Sequence, residues 1–280
     1  MRMRSLLFIP GDRPERMEKA LDVGADALIL DLEDSVAVSA KKRARLAIAA
    51  FLAGPRRAPS FVRVNPLGCG LVEDDLAAVL PARPDGIVLP KAEGAASLRA
   101  LVALLDRHGA SMAPILPIAT ETPAAIFQLG SYGEVADRLC GLTWGAEDLP
   151  AAIGAAAARE ENGRYTPPYE LVRSLTLFAA HAAGVPAVET VYPDFRDLEG
   201  LAAYAARASR DGFTGMMAIH PAQVQVINTA FTPSEAAVAH ARAVVAAFEA
   251  NPDSGALQLD GRMIDAPHLK MARNIIERAK

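Results

Sequence analysis

Ala27-Leu28-Ile29-Leu30-Asp31-Leu32-Glu33-Asp34 is an apolar run that ends abruptly in acids. A short continuous apolar stretch bounded by charged residues suits a strand buried on both faces, the kind that builds a parallel sheet. Similar runs occur at 6–10, 61–65, 86–91, 114–119, 139–144, 187–192 and 215–219, which with 27–32 make eight. Between most of them lies chain rich in Ala, Leu, Arg and Glu, with helices predicted at 14–23, 41–51, 74–80, 95–108, 123–129, 149–158, 169–183 and 198–210. Such alternation is the mark of an α/β fold. Eight units in 280 residues match one (β/α)8 TIM barrel, whose usual length is about 250 residues.

Residues 1–230 are assigned to this barrel and 231–280 to a C-terminal extension. Thr232-Pro233-Ser234-Glu235 opens a helix predicted to reach residue 250, with Thr232 as cap, Pro233 at the first helical position and Glu235 three residues after the cap. Asp260-Gly261 then reads as a two-residue hairpin turn between strands at 256–259 and 262–264, and a last helix starts near Pro267.

Composition narrows the function. Hydrophobic residues make up 51% of the chain and aromatics only 5%, so the core is aliphatic. A net charge of -4 without long single-sign runs argues against nucleic acid as a partner. The basic start, Met1 to Arg4, resembles a signal peptide's opening, but the apolar run stops at Pro10-Gly11-Asp12-Arg13. No stretch is long and apolar enough to span a membrane. Cys69 and Cys140 lack a CxxC spacing and read as packing residues in a reducing compartment. A cytoplasmic location is expected.

Barrels of this kind carry their chemistry at the C-terminal ends of the strands. The first run is followed by Arg13, the second ends in Asp31, Glu33 and Asp34, the third carries Arg63 and Asn65, and the fourth ends in Lys91. Glu121 follows the fifth, Glu147 and Asp148 the sixth, Asp194 the seventh and His220 the eighth. Carboxylates crowded on one rim repel unless compensated, and a divalent cation with hard oxygen ligands is a common compensation. Magnesium suits it, because it takes one or two carboxylates and leaves positions for water and substrate oxygens. Glu121 and Asp148 are the candidate ligands, with Glu33 and Asp34 holding metal-bound waters.

The motifs Leu7-Phe8-Ile9-Pro10-Gly11-Asp12-Arg13-Pro14, Asp31-Leu32-Glu33-Asp34-Ser35-Val36, Val62-Arg63-Val64-Asn65, Glu121-Thr122-Pro123-Ala124 and Gly145-Ala146-Glu147-Asp148-Leu149 occur in that order. Ala218-Ile219-His220-Pro221 and Asp260-Gly261-Arg262-Met263-Ile264-Asp265 follow. Together they resemble the citrate lyase β-subunit, malyl-CoA lyase and citramalyl-CoA lyase group of the HpcH/HpaI aldolase/citrate lyase superfamily, across nearly the whole chain.

The resemblance implies magnesium, with manganese as an alternative, on Glu121 and Asp148, outer acids Glu33 and Asp34, and Arg63 on the substrate. It implies a coenzyme A thioester held by Phe8, Arg13 and Lys19, where cation–phosphate contacts make physical sense. Arg13 and Lys19 could equally solvate the first helix. Asp265 matches a catalytic acid–base residue whose C-terminal segment can cap a neighbouring subunit's site, although Asp265-Ala266-Pro267 is also a good helix start. A homotrimer is expected on the same grounds. His220, a lone His before Pro, is left out of the catalytic set.

The implied reaction splits a 3-hydroxyacyl-CoA such as citryl-, malyl- or citramalyl-CoA into acetyl-CoA, or a homologue, and a 2-oxo acid. Arg63 would stabilise charge on oxygen, Asp265 would move the proton, and backbone N–H groups of Ala146, Glu147 and Asp148 would bind the 2-oxo acid's carboxylate. Two rival readings are a metal-dependent aldolase acting on free hydroxy-oxo acids, and a β-chain receiving its acyl group from a carrier protein.

Overall fold

Strand β2 (Ala27–Asp31) is buried along its whole length, as its apolar sequence requires. The computed structural model describes residues 2–161 and 163–279. β2 pairs in parallel with β1 (Ser5–Pro10) and β3 (Ser60–Arg63). The pairing runs on through β4 (Gly86–Leu89) to β5 (Ile115–Pro117). From the other side of β1 it passes through β8 (Gly215–Ala218) and β7 (Ala187–Glu189) to β6 (Leu142–Thr143). Parallel bridges Ile115–Leu139 and Ile118–Thr143 join β5 to β6, so the eight-stranded sheet is a nearly closed barrel. Leu6, Ile29, Phe61, Val88, Leu116 and Met217 pack its interior. Gly86 makes room for the largest of them, because a β-carbon there would overlap the Phe61 ring.

The surrounding helices are α1 (Pro14–Ala20), α2 (Lys41–Ala53), α3 (Val72–Val79), α4 (Gly94–Arg107), α5 (Pro123–Ile126), α6 (Asp148–Ile153), α7 (Pro167–Ala182) and α8 (Leu198–Asp211). Pro opens α1, α5 and α7, where its missing N–H costs nothing. α5 and α6 are shorter than their sequence predicts. α5 gives way to a tighter helical stretch over Leu129–Arg138, and Gly154, at φ 70°, stops α6. A further helix, α9 (Pro221–Ala230), was not anticipated. Gln223, Gln225, Asn228 and Thr229 break up its apolar face, which rests on Val224 and Ile227.

The chain divides into two compact units after Asn228. The second holds α10 (Glu235–Ala250), a hairpin of β9 (Ala256–Leu259) and β10 (Arg262–Asp265), and α11 (Ala266–Arg278). The cap of α10 is Ser234, whose Oγ accepts from Ala237 N at 3.2 Å, rather than the expected Thr232. Asp260 and Gly261 both take positive φ, 49° and 76°, as a two-residue hairpin turn demands. Ala241, Val244, Ile264 and Ala272 form this unit's own core.

Candidate active site

The strand ends converge on a cavity of about 290 Å³, walled by residues from every strand end except that of β4. Asp31 and Arg63 are partners in the β2–β3 register, and their side chains meet there. Arg63 donates from Nε to Asp31 Oδ1 at 2.6 Å and from Nη2 to Oδ2 at 2.7 Å, a two-pronged pair that fixes the guanidinium plane. Burial alone would raise the Asp31 carboxyl, but the Arg63 bonds outweigh it and hold Asp31 below the usual carboxylate range. The guanidinium also lies 4.7 Å from the centre of the Phe8 ring and 2.9 Å from Glu33 Oε2.

Glu121, just past β5, is 4% exposed. Its Oε2 accepts the Lys91 backbone N–H at 2.5 Å. Gly145 leaves the space its stem occupies, since a β-carbon there would sit 2.5 Å from Glu121 Cγ. Burial and the nearby charge of Asp148 push Glu121 up to about 8. Asp148 opens α6 and lines the same cavity, as do Ala146 and Glu147. Glu147 is raised by burial and by Asp148, against the pull of Arg159.

Lys91, noted at a strand end but given no role by the sequence, sits among these acids. Its Nζ is 2.5 Å from Glu33 Oε1, 3.4 Å from Asp148 Oδ1 and 3.8 Å from Asp34 Oδ2. Glu33 therefore turns both oxygens to cations of the protein, whereas the Asp34 side chain is 62% exposed. Burial raises the Glu33 carboxyl against the pull of Arg63 and Lys91. The loop bearing the two acids is braced from behind. Lys41 Nζ donates to Leu32 O, Glu33 O and Asn65 Oδ1 at 2.6, 2.9 and 2.7 Å, and Asn65 Nδ2 donates to Asp75 Oδ2 at 2.7 Å.

A second cavity, about 410 Å³, includes Phe8, Arg16, Lys19, Ile219 and His220 in its wall. Arg13 is not among its lining residues; its guanidinium lies 3.7 Å from Asp12 and is 55% exposed. Arg16, not singled out by the sequence, lies three residues before Lys19 and so shares a face of α1 with it. The His220 ring stacks on Phe195 at 4.9 Å. Asp265 belongs to the second unit and caps α11, with Oδ1 2.5 Å from His268 Nδ1. Among the described residues no three His, Cys, Asp or Glu side chains form a ready metal cluster, and no helix is long and apolar enough to cross a membrane.

A family model described as HpcH/HpaI aldolase/citrate lyase matches residues 4–221. The chain is 35% identical to a (3S)-malyl-CoA thioesterase of Cereibacter sphaeroides over 286 residues, covering 99% of this chain and 94% of that protein. It is 32% identical to the mitochondrial citramalyl-CoA lyase of Mus musculus over 292 residues, covering 98% and 85%. A crystal structure of the protein CitE from Mycobacterium tuberculosis, in complex with magnesium, acetoacetate and coenzyme A, matches with a TM-score of 0.85 at 36% identity. That match covers 99% of this chain and 98% of the other.

Proposed function

The chain belongs to the HpcH/HpaI aldolase/citrate lyase family, and from that premise we propose that it is a magnesium-dependent carbon–carbon lyase acting on a short 3-hydroxyacyl-CoA. One observation carries the reading: Glu121 and Asp148, from neighbouring strand ends, share a cavity with the guanidinium of Arg63. Their donor set fits magnesium. Two carboxylates give hard oxygen ligands, and magnesium commonly takes only one or two from the protein, leaving further coordination to water and substrate oxygens. Manganese would bind the same oxygens.

Cleavage takes the proton from the substrate hydroxyl, breaks the bond between the carbinol carbon and the thioester α-carbon, and returns a proton to that α-carbon. When bound, magnesium supplies Lewis acidity and a template for the carboxylate and its adjacent oxygen. Arg63, locked in plane by Asp31, stabilises negative charge on the reacting oxygen. The backbone N–H groups of Ala146, Glu147 and Asp148 receive the carboxylate of the 2-oxo acid. Arg16 and Lys19, in the wall of the second cavity, meet the phosphates of coenzyme A. Asp265 is assigned the proton transfer.

A hydrolytic reading has one observation in its favour, the 35% identity to a thioesterase. The deciding experiment incubates the magnesium-loaded protein with citryl-, malyl-, methylmalyl- and citramalyl-CoA, trapping 2-oxo acid and free thiol separately. A lyase releases 2-oxo acid and no free thiol. Free thiol without 2-oxo acid would replace the lyase reading by hydrolysis. Cleavage of free hydroxy-oxo acids alone would favour an aldolase, and inertness toward every free thioester would favour a carrier-bound substrate.

A further inference from the structure

The residue that ties the rim carboxylates together is a cation standing behind them. Lys91 follows β4 with φ at 51°, in the left-handed region that a residue with a side chain occupies only when its surroundings impose it. This turn aims its N–H at Glu121 Oε2, 2.5 Å away. It also sets Nζ 2.5 Å from Glu33 Oε1 and 3.4 Å from Asp148 Oδ1. One residue thus contacts acids from the ends of β2, β5 and β6. Its ammonium contacts Glu33, Asp34 and Asp148, so its charge acts through these carboxylates.

Charge decides what such a residue does. Asp31, Glu33, Asp34, Glu121 and Asp148 crowd one rim, and Arg63 and Lys91 are the cations that contact them. We propose that Lys91 is the positioning residue and built-in countercharge that sets the divalent-cation affinity of the Glu121–Asp148 pair, keeping binding weak enough to exchange. The proposal rests on the magnesium reading above. A lysine that only braced the loop would, on removal, loosen the site and weaken binding. A countercharge does the opposite: its loss removes one positive charge from the site, and a bound cation is better held.

The two roles separate in a charge cycle read by calorimetric titration with magnesium chloride. Lys91→Met keeps most of the stem and removes the ammonium, and is expected to bind magnesium at least about tenfold more tightly than the unaltered protein, because one unit of nearby positive charge is gone. Its thermal midpoint in chelator should fall, and magnesium should raise that midpoint by more than it does in the unaltered protein. Lys91→Met with Glu33→Gln removes one charge of each sign and the buried acid that loses its lysine partner, so it remains informative even where the single variant folds poorly. Its affinity should return to within about threefold of the starting value, the net charge being restored. Unchanged or weaker binding by folded Lys91→Met, or a double variant that fails to return, overturns the proposal and leaves the magnesium reading standing. No magnesium binding by the unaltered protein would overturn the magnesium reading, and this proposal with it.

Discussion

Gly145→Ala tests the placement of Glu121 by adding one carbon. The backbone at Gly145 is not in the left-handed region, so alanine meets no conformational penalty there. Its β-carbon would lie 2.5 Å from Glu121 Cγ, 3.2 Å from Cδ and 3.1 Å from Ile118 Cγ2. Carbon atoms pack at about 3.5 Å or more, so the Glu121 side chain must retreat by roughly 1 Å. Overpacking of this size costs about 1–3 kcal/mol, which leaves the barrel folded. A displacement of about 1 Å at a reacting centre costs on the order of 100-fold in rate, or about 2.7 kcal/mol of barrier. Thermal melting, magnesium titration and turnover of the thioester identified in the substrate screen would be compared with Gly130→Ala, where an added β-carbon meets nothing within 4 Å. Gly145→Ala should keep a cooperative melt while losing turnover and magnesium affinity, and Gly130→Ala should change neither. Normal turnover and affinity in Gly145→Ala would refute the placement of Glu121 at the centre.

Glu121→Ala or Asp148→Ala should abolish magnesium-stimulated turnover with the circular dichroism of the barrel retained; unchanged stimulation would remove that residue from the metal site. Arg16→Ala should raise KM for the acyl-CoA about tenfold or more, the loss of one charge-assisted phosphate contact, with kcat little changed, and Arg13→Ala should do less; the reverse order would return the phosphate role to Arg13. Asp265→Asn should lose turnover while a thioester still binds in calorimetry, and normal turnover would leave Asp265 as the cap of α11 alone. At Asp26, burial pushes the carboxyl up, but hydrogen bonds from Arg4 outweigh it and hold it below its ordinary range. A lowered folded-state value means this pair stabilises fully above about pH 4 and loses its contribution as pH falls further. Urea midpoints of Asp26→Asn should therefore lie below those of the unaltered protein at neutral pH and converge on them in acid. A gap that persists at low pH would contradict this.

The barrel was legible in the sequence because each strand is a short apolar run and each rim residue is simply the next polar one. Asp31 and Arg63 could have been paired in advance, since both end apolar runs at neighbouring strands, yet neither spacing nor composition states the register that sets them opposite each other. Two other features were hidden for different reasons. Thr232-Pro233-Ser234-Glu235 contains two capping residues, and a local pattern that fits both does not choose Ser234. The left-handed turn at Lys91 leaves no trace in residue type, because a lysine takes that conformation only under tertiary constraint.

The rim acids differ in how their charge is compensated. Asp31 has the Arg63 fork within 2.7 Å, and Glu33 has Lys91 at 2.5 Å and Arg63 at 2.9 Å. Asp34 is 62% exposed, so water can carry its charge. Glu121, 4% exposed, is met by a neutral backbone N–H, and Asp148 stands 3.4 Å from a lysine that is closer to Glu33. Asp148 is also 34% exposed, so among the described residues Glu121 is the acid on this rim that is buried without a cation of the protein within reach of its oxygens. A carboxyl as buried as Glu121, beside a second acid, keeps its proton more readily, as its rise to about 8 shows, and gives it up most easily to a cation placed beside it. In the proposed reading that cation is magnesium, held by Glu121 together with Asp148.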